Sequence, residues 1–184
     1  VESKSEFEIT ISSGNLGSIL INFQKYKESL YYSEIAINGY TKLGYKRYVA
    51  YPMESIAVVY DSLHQFEKAN INYIQALKIH EENNNLFEVA QTANDYSNCL
   101  LKQKKYLESI AIAEKAKTFA QKSNSYLMEV LANNTLSIAN ARLGNFETAY
   151  FFSNLYNKGK DSLFVNEKTK AIFELETKYQ TEKK

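Results

Sequence analysis

The chain has 184 residues, 45% of them hydrophobic and 14% aromatic, enough to supply one continuous core. Its 22 Lys and Arg against 21 Asp and Glu leave a formal charge of +1, which excludes a long-range field able to gather nucleic acid or an anionic membrane surface. The single cysteine, Cys99, excludes an intrachain disulfide framework and a Cys-based zinc cluster, and no apolar run approaches the roughly 18 to 20 residues that a membrane-spanning helix needs.

The chain begins at Val1 without an initiator Met or a signal-peptide pattern and ends on Thr181-Glu182-Lys183-Lys184 inside a helical pattern, so it reads as a piece of a longer protein. Self-comparison at an offset of 40 residues organises what lies between. The first unit, about 4–43, carries Leu16-Gly17, then Tyr26, Ser29 and Ala36, with a turn at Phe23-Gln24-Lys25 and an exit at Leu43-Gly44-Tyr45. In the second, about 46–83, the same places hold Ile56-Ala57, Phe66, Ala69 and Ala76, with a turn at His64-Gln65 and an exit at Asn83-Asn84-Asn85. Pro52 falls inside this unit's first helical pattern and marks either a late helix start or a kink. The third, about 86–123, has Tyr96-Ser97, Tyr106, Ser109 and Ala116, a turn at Gln103-Lys104-Lys105 and an exit at Ser123-Asn124-Ser125. The fourth, about 126–162, has Leu136-Ser137, Phe146 and Ala149 about a turn at Leu143-Gly144-Asn145, and breaks the series only at Tyr156.

Apolar positions such as Ile56, Val59, Tyr60 and Leu63, then Phe66, Ala69, Tyr73, Ala76 and Leu77, recur at helical spacing, so each unit is two helices. Turns this short force antiparallel neighbours, and Gly and Asn at the exits accept the positive φ that ends a helix. The small residues sit where a larger side chain would push two crossing helices apart, and the aromatics fill the adjoining gap. The expected fold is therefore all-α, a right-handed solenoid of antiparallel helix pairs over residues 1–163. Residues 164–184 follow as a charged helix, with Glu174 and Lys178 placed for i,i+4 pairing and a stripe of Ile172, Leu175 and Tyr179 able to cap the last unit.

A large-small pair in a first helix, an aromatic opening the second, and two small residues seven apart together resemble the tetratricopeptide repeat, over almost the whole chain. The usual repeat is about 34 residues long, with a bulky aromatic early in its first helix; here Ser13, Met53, Ala93 and Asn133 hold that position, and the longer period resembles a variant found in bacterial signalling proteins. The run from Glu174 to Lys184 is similar to the connector after the repeats of bacterial sensor histidine kinases. That resemblance implies the input region of a two-component signalling protein, on the extracytoplasmic side of an inner membrane reached only through segments outside this chain, with a kinase domain in the parent. A free-standing scaffold, in the cytoplasm, is the rival reading. Oligomeric state stays open, pairing through the terminal helix being one route.

The ingredients of an enzyme are scarce. His64 falls in an interhelical turn and His80 near a helix end, with no metal-ligand spacing around either, and both read as surface or helix-end residues. Cys99 reads as a buried small hydrophobe. Gly14-Asn15-Leu16-Gly17 has no preceding strand and is helix packing rather than a phosphate loop, and Asn133-Asn134-Thr135, a glycosylation acceptor on paper, is mid-helix. No catalytic residue, cofactor or metal is expected.

Function should then lie in a groove. First helices line the concave side of such a solenoid, and positions two before, two after and six after each large residue are expected there: Glu54, Val58 and Ser62, then Asn94, Asn98 and Lys102, then Asn134, Ile138 and Arg142. The Asn side chains could bond a peptide backbone, while Lys102 and Arg142 could fix a carboxylate of a protein or peptide ligand. The carboxylate-clamp type of tetratricopeptide domain needs a Lys and an Asn in its first unit, where this chain has Gly14 and Ser18, so the resemblance does not extend to a chaperone-tail adaptor.

Overall fold

The computed structural model describes the chain from Glu2 to Glu182, with side chains from Ser5 to Val165 together with Lys168, Thr169 and Glu174. Among the described residues there are eight α-helices and no strand: α1 Glu2–Asn22, α2 Tyr26–Lys42, α3 Ala50–Ser62, α4 Phe66–Glu82, α5 Leu86–Lys102, α6 Tyr106–Lys122, α7 Tyr126–Arg142 and α8 Phe146–Glu182. They stack as an all-α solenoid in which α1/α2, α3/α4, α5/α6 and α7/α8 each fold back on one another.

The helix starts at Tyr26, Phe66, Leu86, Tyr106, Tyr126 and Phe146 fall on one grid, and a single 3-10 turn, Lys46–Val49, occupies the remaining grid point ahead of α3. Pro52 explains that turn. An α-helix begun at Lys46 would need the nitrogen of residue 52 to donate to the carbonyl of Tyr48, and proline has no N–H; the α-helical ladder starts at Ala50 instead, placing Pro52 in the first turn where no donor is missed. It is a late start and not a kink.

Each of the seven connections opens with the same three-residue turn, Phe23–Lys25 and its successors, followed only before α3 by the 3-10 turn. Each ends its helix with the paired bonds of a Schellman motif, for example Lys25 N to Leu20 O at 3.0 Å and Gln24 N to Ile21 O at 2.9 Å. The central residue has positive φ in every case, at Gln24, Gly44, His64, Asn84, Lys104, Asn124 and Gly144. Only four of these seven are Gly or Asn, so Gln24, His64 and Lys104 hold a left-handed conformation against their own preference.

The small-residue ladder is where paired helices touch. Ser29 Oγ donates to Gly17 O at 2.7 Å, Ser109 Oγ to Ser97 O at 2.8 Å, and Ser137 Oγ, with the roles reversed, to Ala149 O at 3.0 Å. The second pair uses Ala57 and Ala69, both fully buried and without a hydroxyl. At Gly17 a Cβ would lie 2.5 Å from Ser33 Oγ, so nothing larger fits there without movement. The central core packs Tyr73 against Tyr96 with ring centroids 5.5 Å apart, surrounded by Leu77, Val89, Leu100 and the ladder alanines.

The last helix is continuous from Phe146 to Glu182, with no break at 163. Its first part is seated on α7 through Phe152, packed with Leu136, and through Gly159, where a Cβ would lie 2.3 Å from Val130 Cγ2. The side chains of Ile172, Leu175, Lys178 and Tyr179, on which the expected cap and ion pair depend, lie outside the described residues.

Candidate functional site

The odd-numbered helices meet across unit boundaries, α1 with α3, α3 with α5 and α5 with α7, whereas among the described residues no even-numbered helix touches another. Helices in mutual contact occupy the shorter-radius side of a curved stack, so α1, α3, α5 and α7 form its inner face. Helix α5 is flanked by α3, α4, α6 and α7, which leaves a narrow strip open: Gln91 and Asp95, one turn apart, then Asn98 and Lys102.

A cavity of about 440 Å³ opens on this face between α1, α3 and α5, lined among others by Asn15 and Ser18, Tyr40 and Tyr51, and the carboxylates of Glu54 and Asp95. Glu54 is held in place. Its Oε1 lies 3.2 Å from His80 Nε2 and accepts from the Thr92 hydroxyl, which also reaches Glu88 O at 2.8 Å. On its other side the ring is met by Asn85, whose side-chain amide stands 3.4 Å from His80 Nδ1, so both ring nitrogens of His80 are engaged. His80 lies at the helix end as its sequence position suggests but is fully buried, a wedge between α3 and α4 and not a surface residue.

Asp95 makes no hydrogen bond or ion pair among the described residues. Its side chain reaches solvent in the groove, yet protein closes most of its surroundings, and that lost hydration, followed by the charges of Glu54 and Asp61, pushes its carboxyl up to about 6 while Lys102 pulls the other way. Asp61 takes Lys102, whose Nζ is 2.6 Å from Asp61 Oδ2. Burial first, then the charge of Asp95, raises the Tyr73 phenol beneath, and burial pushes the Cys99 thiol up to about 12, so the thiol stays protonated.

The expected groove residues divide. Lys102 and Arg142 meet in a second cleft of about 500 Å³, with Leu101, Lys104, Tyr106 and Ile138. Asn98 and Asn134 are half-buried, and Asn98 Oδ1 accepts from Thr135 Oγ1 at 3.1 Å. Asn94 faces elsewhere. It is 2% exposed and donates through Nδ2 to Met128 O at 3.0 Å, tying α5 to the start of α7, because α5 has neighbours on that side as well. Asp95 and Gln91 were missed by counting from Tyr96; the signal that finds them is the polar series Gln91, Asp95, Asn98 and Lys102, which recurs at helical spacing along one face of α5.

No protein-family model and no curated protein matches the chain. Among solved structures it resembles BtubC (BKLC) from P. vanneervenii, with a TM-score of 0.76 and 15% identity over 84% of this chain and 64% of that one. It also resembles the apo form of RapI, a TPR-like helical repeat protein, with a TM-score of 0.79 and 16% identity over 88% of this chain and 59% of that one. The fold is a helical-repeat solenoid. The solenoid therefore spans about three fifths of the length of each of these structures, and at such identity the likeness concerns the path of the chain alone. Among the described residues no group of three or more His, Cys, Asp or Glu is placed to hold a metal ion, and no helix is long and apolar enough to cross a membrane.

Proposed function

We propose that the solenoid is a non-catalytic tetratricopeptide-type module that binds an extended protein or peptide segment along its inner face. The observation that carries this reading is the groove itself: two clefts on the odd-numbered helices, one presenting Glu54 and Asp95, the other Lys102, Lys104 and Arg142. Opposite charges at separate points of one groove suit a chain that crosses several units and is oriented as it does so. Asn98 and Asn134, half-buried on α5 and α7, add amides able to bond a peptide backbone.

The test is a display selection of linear peptides against the solenoid, with binders mapped by amide chemical shift. Shifts confined to α1, α3, α5 and α7, lost in a Lys102→Glu/Arg142→Glu double variant, support the reading. Binders that map to the even-numbered helices, or a double variant of unchanged affinity, overturn it.

A finer reading concerns α8, whose backbone runs as one helix of 37 residues beyond its contacts with α7. Such a helix both covers the last unit and can carry movement onward, which supports the role of input region to a two-component signalling protein at an extracytoplasmic face over that of a free-standing scaffold. Inserting four residues after Lys168 rotates everything downstream by about 40°. A full-length receptor that keeps ligand binding but loses its response fits the connector role; an unaltered response contradicts it.

A further inference from the structure

We propose that the cavity between α1, α3 and α5 receives a single basic side chain, lysine or arginine, of the peptide whose binding was proposed above. Its volume of about 440 Å³ lies within the roughly 300–1,000 Å³ of ligand-binding clefts, and no Lys, Arg or His lines it. Two carboxylates converge there with different degrees of support. Glu54 is fixed by His80 and Thr92, so its geometry is set before any ligand arrives. Among the described residues Asp95 has no hydrogen-bond or ion-pair partner.

The surroundings relieve the negative potential only in part. Asp61, 7% exposed and two turns beyond Glu54 on α3, spends Oδ2 on Lys102, while its Oδ1 is buried with no hydrogen-bond partner. Lys102 is thereby engaged by Asp61 and makes no ion pair with Asp95 among the described residues, so it offsets the carboxylates beside the cavity only in part. Tyr40 and Tyr51 also line the cavity. An ammonium or guanidinium reaching between them would gain two charge-assisted hydrogen bonds and the attraction of an aromatic face, while its aliphatic stem lay against Val58 and Ile21. A neutral or acidic side chain would leave Asp95 as it is or repel it.

The experiment uses nonapeptides with acetylated and amidated ends, built on a Ser/Ala/Asn background with arginine, lysine, citrulline or glutamate at the centre. Affinity and amide shifts are measured for the wild type and for Asp95→Asn, a solvent-reached position whose change need not disturb the fold. The proposal expects arginine and lysine peptides to shift α1, α3 and α5, citrulline to bind at least ten-fold more weakly, and Asp95→Asn to remove most of that difference. Equal binding of arginine and citrulline at the groove overturns the basic-residue proposal and leaves the peptide-groove reading standing. Shifts on the even-numbered helices, or no binding by any of the four peptides together with failure of the display selection, overturn both. Glu54→Gln serves as a second variant; a folded Glu54→Gln protein that keeps the full arginine preference counts against the geometry.

Discussion

Replacing Asp95 by Asn should stabilise the free solenoid, and only above a definable pH. The Asp95 carboxyl loses its proton at about 6 in the folded chain against an ordinary 3.8. Between those values the folded state holds more protons than the unfolded one, so stability falls as pH rises through the window, is fully reduced above about 6, and is unaffected below about 3.8. A displacement of about two units corresponds to a ceiling of roughly 3 kcal/mol. The side chain reaches groove water and counterions, so screening cuts this to about 1 kcal/mol, or roughly 2–4 °C in Tm for a chain of this size. Paired thermal and urea melts of wild type and Asp95→Asn at pH 7.5 and pH 3.5 measure it. The gain should be present at pH 7.5, shrink in 1 M salt, and vanish at pH 3.5. A gain independent of pH, or a loss at pH 7.5, would refute the reasoning.

The same groups give binding a pH dependence. Affinity for the arginine nonapeptide should fall as pH drops through about 6, since Asp95 takes up a proton while Glu54, Asp61, Lys102, His80, Tyr40 and Tyr51 are the other charged or titratable groups around the site; a flat profile from pH 5 to 8 counts against it. At the turns, Gln24→Gly should add about 1 kcal/mol by removing a left-handed glutamine, and Asn84→Gly should add less because asparagine tolerates that region; urea melts rank them. In the ladder, Ala57→Leu should cost about 3 kcal/mol by forcing α3 from α4. Ala57→Ser should cost under about 1 kcal/mol, its hydroxyl donating to the Ala69 carbonyl as Ser137 does to Ala149.

Much of this architecture could be read from the residues because packing constraints repeat. A crossing that admits only Gly, Ala or Ser must recur wherever two helices cross at that height, and Gly17, Ala57, Ser97 and Ser137 announce it. Four of the seven turns announce themselves through Gly or Asn; Gln24, His64 and Lys104 do not, because the paired helices impose the turn regardless of what occupies it. The continuity of α8 was not legible, since good helix formers on both sides of 163 say nothing about whether a break intervenes.

The site was harder for a specific reason. Which face of α5 is open depends on how many helices surround it, a tertiary fact that turned Asn94 inward and Asp95 outward. Lys102 and Arg142 came together because each ends an inner helix one unit apart. The link from His80 to Glu54 crosses 26 residues and two helices, with no local pattern to disclose it.

The most direct test of inner-face recognition is site-specific photo-crosslinking. Benzoylphenylalanine is placed at Val58, on the cavity wall, or at Ile71, 55% exposed on the outer helix α4, and irradiated with the arginine nonapeptide. The account predicts a crosslinked product from Val58, competed by unlabelled peptide, and none from Ile71; crosslinking from Ile71 at equal yield, or from Ile71 alone, would contradict it.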